Sequence, residues 1–215
     1  MNQLGVLMLD TRFPRVIGDI GNAASFDFPV RYLVVRGASA RRVVRERDPA
    51  LLQPFIDAGR ALVDEGATAI TTSCGFLVLF QRELQAALPV PVWTSSLLLL
   101  AELSGTGAGV VTVDAASLNA DHLRAAGAPL DTPIEGLAPG CAFQRTLLND
   151  AASLDTDNAR AETIAAALRL TARHPALSTI VLECTNMPPY ADAVRAATGR
   201  AVLDITTLLR QRFQT

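Results

Sequence analysis

The sequence carries one local signal twice. Thr71-Thr72-Ser73-Cys74-Gly75-Phe76 follows the apolar run from Ala67 to Ile70, and Leu182-Glu183-Cys184-Thr185-Asn186-Met187 ends the run that starts at Thr179. Each segment precedes a helical pattern, so each reads as the carboxyl end of a buried strand opening onto a helix. In parallel α/β sheets that is where ligands bind. The two cysteines lie 110 residues apart in a chain of 215. That spacing points to two similar halves with one thiol each.

The rest of the chain alternates in the same way. Leu4 to Leu9 reads as a buried strand with Asp10-Thr11 at its end, and Val30 to Val35 as a second strand. Between them, Arg12 to Asp27 has no clear period and forms a long loop, a feature that is often functional. Asp48-Pro49 starts a helix and Gly66 ends it. A strand over 67–72 leads to Cys74, a helix covers about 76–87, and a short strand covers 90–93 between prolines. Thr94-Ser95-Ser96 caps a further helix that closes at Gly105.

Ala108 to Val113 then begins the pattern again and ends in Asp114, as the first strand ends in Asp10. Asp10 precedes Cys74 by 64 residues, and Asp114 precedes Cys184 by 70. In this half we expect a helix from about Ser117 to Gly127, a weak strand over 134–137 and a long helix over 158–174. A strand over 179–183, a helix from Pro188 to Gly199, a strand over 201–203 and a final helix over 205–213 complete the order. Strands alternating with helices specify parallel sheets with helices on both faces, an α/β fold.

Composition narrows the function. Half the residues are apolar, 5% are aromatic and the net charge is −2, so no global field draws the chain to nucleic acid or a membrane surface. No apolar run approaches a membrane span. The first residues lack the basic start of a secretory signal. Three widely spaced cysteines make no disulfide framework, so a reducing cytoplasm is the expected compartment.

A cysteine is often just a small buried hydrophobe. Two at matched strand ends favour chemistry: a thiol with a pKa of about 8.5, beside the N–H groups of a helix start, is a base near neutrality after a modest shift. A base on one face of a carbon and an acid on the other is what racemisation needs. A decarboxylase could work with one thiol. Asp10 either assists Cys74 in proton transfer or caps a turn. Glu183 is expected to point away from Cys184, toward the other half or solvent. Thr11 is a candidate substrate donor and Asp114 a poor one.

Cys141 reads as structural. His122 and His174 have no Cys or carboxylate at ligand spacing, so no metal site is expected. Gly105-Thr106-Gly107-Ala108-Gly109 precedes a strand instead of following one, which argues against a nucleotide loop. The cluster Arg36, Arg41, Arg42, Arg45 and Arg47 reads as a solvated face, with Arg36 at the strand end as a weak candidate for a substrate carboxylate.

Asp10-Thr11, Thr72-Ser73-Cys74 and Cys184-Thr185-Asn186, together with the length and element order of the whole chain, resemble the aspartate/glutamate/hydantoin racemase superfamily. The resemblance implies two pseudosymmetric domains, each a mostly parallel four-stranded sheet flanked by helices, with the active site in the cleft between them. Their extents would be 1–93 together with a returning carboxyl-terminal helix over 204–215, and 94–203. It implies a cofactor-independent amino-acid racemase or epimerase acting at the carbon beside the carboxylate of a small molecule. Cys74 and Cys184 would be the proton-transfer thiols. Thr72, Ser73, Thr185 and Asn186, with Gly75, would bind substrate through hydroxyl, amide and backbone donors. Glutamate racemases place Asn-Thr after the first cysteine and Thr-His after the second; here Gly75-Phe76 and Thr185-Asn186 stand instead, and the first change removes polar groups that would hold an amino-acid head group. The superfamily also holds maleate isomerases and arylmalonate decarboxylases, so a lyase or cis-trans isomerase is the alternative, and a non-catalytic carboxylate-binding protein a third. A homodimer is left open.

Overall fold

Two parallel sheets of four strands form the frame of the computed structural model, which describes residues 2–213. The first contains β1 (Leu4–Leu9), β2 (Val30–Val35), β3 (Ala69–Thr72) and β4 (Val92–Trp93), in the order β2-β1-β3-β4. The second contains β5 (Ala108–Thr112), β6 (Ile134–Gly136), β7 (Thr179–Leu182) and β8 (Ala201–Leu203), in the order β6-β5-β7-β8. The two orders are the same, and every pairing is parallel. The central strands β1, β3 and β7 are buried along their whole length, which explains why they read as continuous apolar or small-residue runs.

The helices are α1 (Leu52–Asp64), α2 (Gln81–Ala87), α3 (Ala120–Ala125), α4 (Ala142–Leu148), α5 (Thr156–Arg173), α6 (Ala191–Thr198) and α7 (Ile205–Phe213). Local chemistry sets several of their ends. The Asp48 carboxylate accepts from the Ala50 N–H, and Pro49 opens a short 3-10 turn that runs into α1. Gly66, at φ +99°, takes the left-handed conformation after it. The expected strand over 90–93 is shortened to two residues because Pro89 and Pro91 cannot donate to the ladder.

Three elements escaped the sequence, the first a short 3-10 turn, Ala23–Ser25, inside the long loop between β1 and β2. A five-residue π-helix, Arg42–Glu46, lies inside the arginine cluster. Helix α4 has no capping side chain at Cys141; its first N–H groups, those of Ala142 and Phe143, donate to Glu162 of α5. A cap supplied from 20 residues away leaves no local trace. The helices expected after Cys74 and after Ser96 are 3-10 turns, Gly75–Phe80 and Ser96–Ala101, the first running on into α2.

Helix α7 packs Ile205, Leu208, Leu209 and Phe213 with Leu4, Val6 and Met8 of β1. Met1, Gln214 and Thr215, which belong to the expected extent of the first half, lie outside the described residues. A larger core cluster joins Leu7, Phe76, Val110 and Leu182, so both halves share one apolar interior. No helix among the described residues is long and apolar enough to cross a membrane.

Candidate active site

Cys74 and Cys184 stand just beyond β3 and β7 and line one small cavity at the junction of the halves. Both are free thiols, 9% and 7% exposed. The wall also includes Ser73, Gly75, Glu183, Thr185 and Asn186, and its apolar part is Leu9, Phe13, Ala40, Val44, Phe76, Val113, Leu147 and Leu148. No arginine among the described residues lines it.

The two cysteine loops are tied directly to each other. The Thr185 hydroxyl donates to the Ser73 carbonyl at 2.6 Å, and Ser96 Oγ donates to the Leu182 carbonyl at 2.8 Å. Thr72 Oγ1 donates to the carbonyls of Thr94 and Cys74 at 2.7 and 3.0 Å. Ser73 Oγ accepts from the Leu9 N–H at 2.8 Å. The hydroxyls of Thr72 and Thr185 thus donate to the backbone of the strand-end loops, and of the two only Thr185 is on the cavity wall.

Asp10 is exposed and absent from the wall, and its carboxylate accepts from the Gly37 N–H at 2.9 Å. Of its two sequence readings, turn cap and partner of Cys74, the geometry has the turn cap. Thr11 accepts from Arg15 at 3.0 Å and is also off the wall. Arg36 is exposed, while Arg45 and Arg47 reach across to Asp114 and the Ser117 carbonyl in the second half.

Glu183 is fully buried. Its N–H continues the β5–β7 ladder by donating to the Val111 carbonyl. Its Oε2 accepts from Thr112 at 2.6 Å, and its Oε1 has no hydrogen-bond partner among the described residues. Oε1 lies against Gly75, where an added Cβ would be 2.3 Å away. Burial pushes the Glu183 carboxyl up to about 7, with the Thr112 hydrogen bond pulling the other way.

The thiols are pushed the opposite way from the sequence expectation. Burial, reinforced by Glu183, raises Cys74 to about 12, against the pull of the Phe76 and Leu77 N–H groups. Burial and Glu183 also raise Cys184 well above its usual value, and the backbone of Asn186 only partly offsets them. Desolvation in an apolar cleft outweighs the helix-start N–H groups, so the cleft holds two thiols rather than a thiol and a thiolate.

The loop between β1 and β2 supplies residues that sequence reasoning missed. Asp19, 2% exposed, accepts from Arg15 at 3.1 Å and from the Gly21 N–H at 2.7 Å through Oδ1, and from Asn186 Nδ2 at 2.6 Å through Oδ2. Asn186 Oδ1 in turn faces Cys184 Sγ at 3.5 Å. The loop also ties down at Ile20, whose N–H donates to the Thr185 carbonyl at 3.4 Å, and at Arg12 and Phe13, whose N–H groups donate to Asp150. Its length and lack of period were the only signals available in advance.

Cys141 is half-buried at the start of α4, away from the cavity. His122 is buried, shares a capping box with Asn119, and packs edge-on against Phe76 at 5.1 Å. No group of three metal-ligating side chains occurs among the described residues.

No family model matches the chain. Among solved structures, the allantoin racemase of Pseudomonas fluorescens superposes with a TM-score of 0.68 at 19% identity, over 99% of this chain and 89% of its own. An unliganded arylmalonate decarboxylase superposes with a TM-score of 0.61 at 17% identity, over 94% and 87%. The fold is that of the aspartate/glutamate racemase superfamily, as the resemblance implied. In sequence, the chain is 33% identical to a dimethylsulfoniopropionate lyase of Durusdinium sp. clade D, over 94% of its length and 70% of that protein. It is 31% identical to dimethylsulfoniopropionate lyase 7 of Emiliania huxleyi (strain CCMP1516), over 95% of its own length but 64% of the relative's. The chain belongs to the family of these dimethylsulfoniopropionate lyases.

Proposed function

We propose that the protein is a lyase acting on a small carboxylate that bears a sulfonium group on its β-carbon, with 3-dimethylsulfoniopropionate as the substrate to test. Kinship with the dimethylsulfoniopropionate lyases over 94% of the chain carries this reading. It places the lyase alternative ahead of amino-acid racemisation, the leading expectation from the residues.

The chemistry fits a two-thiol cleft. A thiolate takes the proton from the carbon beside the carboxylate, the Cα–Cβ double bond forms, and the Cβ–S bond breaks. Its electron pair leaves on sulfur as dimethyl sulfide, and acrylate remains. The base then returns its proton to solvent. Cys74 is the better base because two backbone N–H groups favour its thiolate. Cys184 then stays a thiol and donates to the charge growing on the carboxylate. A resting thiol near 12 is not an obstacle to this scheme. The incoming substrate is a zwitterion, and its sulfonium favours the thiolate when it lies nearer the sulfur than the substrate's own carboxylate does. The apolar wall of Phe13, Phe76, Leu147 and Leu148 suits S-methyl groups. The chain contains no lysine, so a pyridoxal Schiff base has no residue on which to form.

Two thiols on one cavity support a second reading, racemisation of a small carboxylate. Proton NMR in heavy water separates the two. A lyase releases equal amounts of acrylate and dimethyl sulfide from dimethylsulfoniopropionate. Deuterium entering the α-position of amino acids or hydantoins, with no acrylate formed, would put racemisation in its place.

A further inference from the structure

The roles of the two thiols need something to keep them distinct, since burial raises both. The asymmetry lies in what each sulfur faces. Cys74 faces backbone N–H groups. Cys184 faces a side-chain amide whose orientation is not free. A carboxylate accepts hydrogen bonds, and Asp19 Oδ2 accepts one from Asn186 Nδ2 at 2.6 Å. That contact uses Asn186 Nδ2 and turns Oδ1 toward Cys184 Sγ. Asp19 cannot turn away, because Arg15 and the Gly21 N–H hold its other oxygen.

We propose that Asp19, a residue outside the cavity wall, is a positioning residue that sets the proton on Cys184 by fixing the orientation of the Asn186 amide. An amide oxygen aimed at sulfur stabilises S–H as a donor and opposes the thiolate. The loop between β1 and β2 thereby marks the second cysteine as the proton-bearing member of the pair. The other ionisable groups acting at this sulfur are Glu183 and Cys74, with Tyr190 facing both Asp19 and Cys184. Arg15 and Tyr32 complete the surroundings of Asp19. All of them act through charge and burial, whereas Asn186 alone acts through a direction that can be reversed.

The reversal is testable. In Asp19→Asn, Arg15 and Gly21 still require an acceptor, so the new Nδ2 takes the place of Oδ2. Asn186 must then present Oδ1 to residue 19 and swing its Nδ2 toward Cys184. The experiment measures the pH dependence of iodoacetamide alkylation at Cys184 by peptide mass spectrometry, with Cys74 as internal reference. The four proteins are the natural chain, D19N, N186A and D19N/N186A, each checked by thermal melt. With Asp19 present, the Asn186 side chain should raise the apparent pKa of Cys184, so N186A alkylates faster at a given pH. In the D19N background the same side chain should lower it, so D19N alkylates faster than D19N/N186A. A midpoint lower by about one pH unit corresponds to alkylation about tenfold faster. Loss of the Asp19 charge alone cannot change the sign of the Asn186 effect. The same sign in both backgrounds would overturn the proposal. If D19N does not fold, N186A still decides: a slower Cys184, with its midpoint moved upward, would overturn it. The readout is chemical modification, so failure of the lyase reading would leave its result intact.

Discussion

Gly75 is where the chain departs most visibly from the glutamate racemases, and the structure gives it a steric cause. A Cβ there would stand 2.3 Å from Glu183 Oε1 and 2.5 Å from the Glu183 carbonyl. Gly75→Ala should therefore cost about 1–3 kcal/mol in chemical denaturation. Shortening Glu183 should relieve it only in part, because the carbonyl remains. Sequence position alone could not show that the residue before the second cysteine abuts the residue after the first. Glu183 itself makes stability depend on pH. Below its unfolded value of 4.5 the group is neutral in both states; above that the unfolded chain ionises while the folded chain keeps its proton until about 7. Stability should fall across that window, with a slope approaching about 1.4 kcal/mol per pH unit from this group. Glu183→Gln should flatten the fall, as followed by urea melts at a series of pH values. At the thiols, Cys74→Ser and Cys184→Ser should each lower kcat/KM for dimethylsulfoniopropionate by about 10²–10⁴-fold with the fold retained, as expected for loss of a proton-transfer group. An unchanged rate in either variant would remove that thiol from the chemistry.

Elements whose ends are written locally were legible in advance. Strands β1 and β2 fall at the expected residues, Asp48-Pro49 begins the segment leading into α1, and Gly66 and Gly199 close α1 and α6 in the left-handed region. Those set by distant partners were not. Helix α4 depends on Glu162 for its first N–H groups, and the segments after Cys74 and Ser96 tighten to 3-10 turns between the two halves. The same division applies to the site. The cysteines could be read because each follows a strand, whereas the use of Thr72 and Thr185 as ties, and the reach of Asp19 to Asn186, depend on folded contacts 22, 112 and 167 residues apart. Thr185→Val tests the tie between the strand-end loops. It leaves the buried Ser73 carbonyl without its 2.6 Å donor, at a cost of about 1–3 kcal/mol. It should also lower kcat at temperatures where the variant remains folded, a loss that destabilisation alone would not produce.

At the scale of the molecule, two sheets of the same strand order bring matched strand ends to one cavity. The repeated strand order places one thiol in each half, and the loop carrying Asp19 reaches only the second of them, through Asn186. The shared core and the arginines crossing from the first half to Asp114 and Ser117 keep those ends opposed. Substrate chemistry was the least legible level: the two thiols suggested proton transfer, the family resemblance put it beside a carboxylate, and kinship supports a lyase over a racemase. The mechanism requires two sulfurs that reach the same small molecule. Treatment with dibromobimane, which becomes strongly fluorescent when it links two nearby thiols, tests this directly. The expected product is one bimane bridge between Cys74 and Cys184 by peptide mapping, lost in either serine variant and suppressed by saturating acrylate. Independent single adducts on the two cysteines, with no bridge and no protection, would contradict it.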